Sequence, residues 1–206
     1  MDLDGQIPLL ERDRSEAPGA PGSAGGAVLV PGAAAVAGAR GDAWLRIDAG
    51  EHARRGGASC DDLVVLDALR RLPVGVPVPV EWLSPRDAEV LAAVPGWALR
   101  RSDQHVVRLL RQPVHVQLVV CSGGPWRALL RRASTFRHFA PAAVALKRLP
   151  PDWPGVAWEA DLAGVGVLLD DGTSSVEAMP PPVPSAPRKG AHWRFEERAY
   201  RAWFRA

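Results

Sequence analysis

Apolar positions along the chain change their period several times, and each change marks an element. In "CDDLVVLDALRRL" (60–72), Leu63, Leu66, Ala68 and Leu69 recur at helical intervals, with acids in the first turn and arginines in the last, where they complement the helix dipole. Pro73 ends this helix, and the prolines of "VGVPVPVEWL" keep the following chain extended. A second helix is predicted over 84–94: Ser84 stands at its cap, Pro85 at its first position and Asp87 three residues after Ser84 as in a capping box, and Pro95-Gly96 closes it. "WALRRSDQHVVRLL" (97–110) then reads as two strands around a polar turn at Ser102-Asp103-Gln104, a β-hairpin.

From Pro113 the punctuation becomes regular. Strands are predicted at 114–120, 142–150 and 165–172, helices at 125–140 and 156–164, and a hairpin partner at 173–180. A proline-rich connection (180–190) leads to a terminal helix over 191–204, whose Trp193, Tyr200, Trp203 and Phe204 form an aromatic stripe of the kind that seals a core. Strands alternating with helices imply an α/β layer. Residues 11–41 are rich in Gly, Ala, Pro and Ser without a sustained period and read as a flexible leader, so order is expected to begin near Ala43-Trp44-Leu45. The expected fold class is α+β in three segments: a leader (1–42), a small module (43–112), and an α/β domain ending in the aromatic helix (113–206).

Composition narrows the setting. The 206 residues, 47% hydrophobic and 23% charged, fit an ordinary globular chain, and only Cys60 and Cys121 are present, without a CxxC pair or zinc spacing. No disulfide framework, metal or cofactor is therefore expected, and the default setting is reducing and cytoplasmic. The apolar run at 27–39 is broken by Pro31-Gly32 and is too short to span a bilayer, so no membrane is expected. Net charge is only +2, yet Ala98–Pro150 holds ten Lys or Arg against one acid, Asp103. Such a patch favours a polyanion such as nucleic acid, unless neighbours in space supply the acids.

Helix, connector, helix and basic hairpin over 60–112 resemble a winged-helix module in order and length. The resemblance implies that Arg100, Arg101 and Arg108 lie where a wing would touch phosphate. On its residues alone, the same stretch is also compatible with a plain α+β segment.

"VVCSGGPWRALL" (119–130) carries two readings. Cys121 and Arg127 have the C-x5-R spacing of cysteine-dependent phosphatases, and the loop follows a strand and precedes a helix as theirs does. That resemblance implies a Cys121 thiolate nucleophile, an Arg127 clamp on phosphate, and a general acid from Asp152, Asp170 or Asp171. The longer stretch 114–179 is similar to the later half of the PD-(D/E)xK, restriction-endonuclease-like superfamily. The similarity rests on Trp126, Ala128-Leu129, Ala133, the strand 142–149 and Gly164-Val165-Gly166-Val167-Leu168-Leu169 in that order.

The second resemblance implies a nuclease scaffold, and the departures from it imply lost catalysis. Where the superfamily has its Glu and Lys, this chain has Val120 and Ser122, and the upstream carboxylate is missing, since Asp103, the only acid between Ala98 and Pro150, sits in a predicted turn outside the sheet. Metal-dependent cleavage needs at least two carboxylate ligands and a group to activate water. On the helix 126–140, Trp126, Leu129, Leu130, Ala133, Phe136 and Phe139 or Ala140 should face the sheet, leaving Arg127, Arg131, Arg132, Arg137 and His138 outside. The sequence thus points away from catalysis and toward nucleic-acid binding through Arg100, Arg101, Arg108, Arg127, Arg131, Arg132 and Arg137. A phosphatase built on Cys121 and Arg127 and a protein-binding adaptor are the alternatives.

Overall fold

The structure is a computed structural model that describes residues 26–170, 175–184 and 189–206, and the strand pairing of residues 11–12. Its strands are β1 (Glu11–Arg12), β2 (Val28–Val36), β3 (Ala39–Ile47), β4 (Pro77–Pro79), β5 (Leu99–Arg101), β6 (His105–Arg108), β7 (Val114–Cys121), β8 (Ala142–Leu146), β9 (Gly166–Asp170) and β10 (Ser175–Met179). Its helices are α1 (Ala49–Arg55), α2 (Leu63–Arg70), α3 (Pro85–Ala92), α4 (Trp126–Ser134), α5 (Trp153–Ala163) and α6 (Gly190–Arg205). The chain is α+β, as expected. The Ser84 cap forms as expected, accepting from the Asp87 N–H, while Asp62, expected in the first turn of α2, is instead its cap and accepts from the N–H groups of Val64 and Val65.

Seven strands form one mixed sheet in the order β1-β10-β9-β8-β7-β3-β2. The β7, β8 and β9 strands are parallel, joined through α4 and α5, while β3 pairs antiparallel with β7 on one side and β2 on the other. Burial alternates along β7, but Gln117 is an extra residue between Val116 and Leu118, opposite Leu45 and Trp44, which resets the alternation. Val114, Val116, Val119 and Cys121 therefore share one core with Leu129, Leu130 and Ala133 of α4, Phe136 just after it, Ala160 of α5, and Phe195, Ala199 and Tyr200 of α6. Trp44, Leu118, Val120, Ala143 and Leu168 cluster separately on the other side of the sheet. Pro181 lies close over β9 there: a Cβ on Gly166 would come within 2.6 Å of the Pro181 nitrogen.

Two expectations are corrected. The leader does not run to residue 42, because Val28–Val36 and Ala39–Ile47 form a hairpin whose Val30, Ala33, Ala34, Ala43 and Leu45 are buried. Small residues hid it: Ala and Gly lack strand propensity, yet alanines fit where β2 lies close under α6, and Gly41 has no room for a Cβ against Val119. The remaining leader residues, 1–10 and 13–25, lie outside the described residues. The boundary at 112–113 also moves. Since β3 pairs directly with β7, residues 48–113 form an excursion from the sheet, closed at its neck by the Asp48 N–H bonded to the Pro113 carbonyl at 2.9 Å.

Within that excursion, α2 and α3 pack on a three-stranded sheet ordered β4-β6-β5 around Leu66, Leu69, Leu91, Leu99 and Leu110. The terminal helix joins the two cores, burying Trp193 in the excursion and Phe195, Ala199 and Tyr200 under the large sheet. The aromatic stripe is thus a seal, with Phe204 at its exposed end. Helix α4 stops at Ser134, short of the predicted residue 140. The Ser134 and Thr135 hydroxyls donate back to the Arg131 carbonyl, and the following N–H groups bond three residues back.

Charge is buried where α6, α1 and the excursion meet. The Arg55 guanidinium donates to Glu51 at 2.7 Å and to both oxygens of Glu197 at 2.8 and 3.0 Å. Glu197 also accepts from the Cys60 N–H at 3.0 Å and from the Trp193 indole at 3.1 Å. Burial tends to raise the Glu51 carboxyl, but hydrogen bonds from Arg54, the Arg111 N–H and Arg55 outweigh it and hold it below the usual carboxylate range. A carboxylate depressed in the folded state contributes stability above its unfolded pKa, and that contribution is lost as pH falls through the folded value. The urea midpoint should therefore drop as pH falls below about 4.5, and Glu51→Gln should flatten that part of the profile. A parent profile already flat there would contradict this reading.

Candidate functional site

Strand β7 ends in the loop Ser122-Gly123-Gly124-Pro125, which feeds α4 at the carboxyl ends of the parallel strands, the edge where open α/β sheets bind ligands. Gly123 at φ 71° adopts a backbone favouring glycine, and Pro125 sets the entry to α4. Trp126, Leu129, Leu130, Ala133 and Phe136 turn to the core as expected. On the outer side, Arg127, Arg131, Arg137 and His138 are exposed.

The phosphatase geometry does not form. Cys121 points into the main core, 0% exposed, with its sulfur 3.9 Å from the Arg40 carbonyl. Burial pushes its thiol up and Asp42 adds to that, with Arg132 only partly offsetting them, which is the opposite of an activated nucleophile. Arg127 leans away toward Glu159 at 3.3 Å. Cys121 and Arg127 therefore do not converge on one phosphate. Of the acids considered with them, Asp152 is exposed just before α5 and Asp170 ends β9, while Asp171 lies outside the described residues.

The arginines divide into those that hold the fold and those left to solvent. Arg101 donates to the carbonyls of Leu91 and Val94, closing α3, at 2.6 and 3.2 Å. Arg108 donates to the carbonyls of Leu69, Leu72 and Leu110 and stacks on the Trp193 ring, 4.5 Å from its centroid. Neither extends as a wing residue would, and only Arg100 of that trio is exposed without such a role. Arg132 donates to the Ser122 carbonyl and pins the loop, its Nε being buried without a partner among the described residues. Arg137 reaches the Ala163 carbonyl at 3.2 Å while staying exposed. Arg131 is exposed, and its side chain is held by no described residue.

One residue escaped the linear reading. Asp42 of β3 stands directly opposite Val120 of β7, so a carboxylate does flank the position where the restriction-endonuclease-like resemblance expects one. It accepts from the Gly32 N–H at 2.8 Å. The signal was present as "GDAW", but only strand pairing across the 48–113 excursion brings it to β7. Val120 and Ser122 supply neither a second carboxylate nor a general base, and among the described residues no three His, Cys, Asp or Glu cluster as metal ligands. Among the described residues, too, no helix is long and apolar enough to cross a membrane.

Both thiols have raised pKa values, Cys60 chiefly by burial, but Cys60 is only partly buried whereas Cys121 is enclosed. A thiol reagent added to native protein should modify Cys60 slowly and Cys121 only under denaturant. Rapid native modification of Cys121, read by peptide mass, would reopen the nucleophile. In comparisons with known proteins, no family model matches the chain, and no curated protein or solved structure is similar to it.

Proposed function

We propose that this protein binds nucleic-acid backbone through the outer face of α4 and does not cut it. The observation that carries the reading is the exposed set of Arg127 and Arg131 on α4 and Arg137 and His138 in the turn just after it, met among the described residues by a single ion-paired acid, Glu159. Guanidiniums placed this way neutralise phosphates and release counterions, giving affinity without base readout.

The architecture fits a nuclease scaffold turned to binding. Strand β7, helix α4, strand β8, helix α5 and strand β9 follow the order that the restriction-endonuclease-like resemblance anticipates, with β3 and β2 added beside β7 and the 48–113 excursion inserted between β3 and β7. Asp42 alone remains where cleavage would need paired carboxylates, so the reading is of binding without hydrolysis. The excursion's order of α2, β4, a short turn, α3, β5 and β6, with sheet order β4-β6-β5, suits a winged-helix module. Its two structural arginines shift the expected phosphate contacts from this module to α4.

A protein partner is the second reading. Trp158 and Leu162, one turn apart on α5, are 67% and 70% exposed, as at a surface that meets another protein.

Fluorescence anisotropy with a generic DNA duplex tests the first reading. Affinity should fall steeply with salt, and the Arg127→Gln/Arg131→Gln variant should bind more weakly with a log–log salt slope shallower by about 2, one phosphate for each arginine removed. Binding that is absent at low salt, or that the variant leaves unchanged, would overturn it.

A further inference from the structure

A cleft of about 290 Å³ lies between α1, the turn at Val74-Gly75 and the connection from β6 to β7, lined among others by Asp48, Glu51, Arg54, Gly75, Arg108 and Arg111. Arg54, Arg108, Arg111, Asp48 and Glu51 line it together; Glu51 is ion-paired, and Asp48 caps α1. Glu51 accepts from Arg54, from Arg55 and from the Arg111 N–H, and Asp48 accepts from the Glu51 N–H at 2.9 Å. Arg54 is taken up by Glu51 and by the Trp97 carbonyl.

Arg108 and Arg111 remain. Arg108 is fixed by three backbone carbonyls and the Trp193 ring, and among the described residues its guanidinium is ion-paired to no acid. Arg111 is exposed at the rim, and among the described residues its main chain alone is engaged: its N–H goes to Glu51 and its carbonyl accepts from Arg55. Both residues line the cleft. Burial, with Arg111 adding to it against the pull of Glu51, lowers the Arg108 pKa, as expected of a cation without its counterion.

From this arrangement we infer that the cleft is a binding site for a compact phosphate group, held between Arg108 and Arg111. Arg108 is preorganised, so ligand binding does not have to freeze it, and a planar guanidinium suits phosphate oxygens. The volume stands at the small end for ligand pockets, about 300 Å³ upward, which favours a phosphate or small phosphomonoester over a length of polymer. The site is separate from α4 and does not depend on the reading of that helix.

Titration calorimetry of the full chain with inorganic phosphate at low ionic strength tests it. Saturable binding is expected, weakened about tenfold or more by Arg111→Gln, partly retained by Arg111→Lys, and unchanged by Arg127→Gln, since loss of a charge-assisted hydrogen bond has an effect of that order. Arg111 is exposed at the rim, so circular dichroism melting of its variants should match the parent. An oligonucleotide with a 5′-phosphate that displaces phosphate better than its unphosphorylated twin would assign the group to a strand end, and equal displacement to a free small molecule. Absence of binding heat, or heat that Arg111→Gln leaves unchanged, would overturn the site.

Discussion

The buried Arg55 guanidinium, bound to Glu51 on its own helix and to Glu197 on the last, is the interaction on which the arrangement of this molecule depends. Removing such charges from water is costly, and the cost is offset only when every partner is in place. Here the partners come from α1 and the Cys60 N–H on the excursion and from Glu197 and the Trp193 indole on α6, so the cluster forms only when α6 has docked on the excursion. Apolar packing of α6 against both cores supplies affinity, while the ion cluster, with its fixed directions, sets the register of that docking.

The same cluster shapes what the surface offers. By engaging Glu51, it takes up one of the two acids that line the cleft of Arg108 and Arg111. Other arginines of the basic middle are spent internally: Arg101 satisfies carbonyls at the end of α3, and Arg132 ties the loop after β7. Local charge count therefore overstates the basic surface, and the arginines that reach solvent on α4 are the ones that matter for a polyanion.

Much of the fold is legible in the sequence because its signals are local. Ser84 with Pro85, Asp62, Gly164 after α5, and the apolar alternation of β7 each fix an element within a few residues. The hairpin β2–β3 is not legible, since its Ala and Gly positions read as low complexity until the helix that covers them is known. Asp42 could not be placed beside Val120 from the linear order, because the contact spans the whole excursion. Nor does spacing distinguish an arginine that caps a helix from one that meets a ligand; Arg108 and Arg127 look alike until their partners are seen.

A double-mutant cycle on Arg55→Met and Glu197→Leu, read by urea unfolding, tests the central claim most directly. Each single change should cost about 3–5 kcal/mol by stranding a buried charge, and the double variant should recover at least about 2 kcal/mol of their sum. Costs that are small, or that add without coupling, would show that α6 is held by apolar packing alone and would contradict the account.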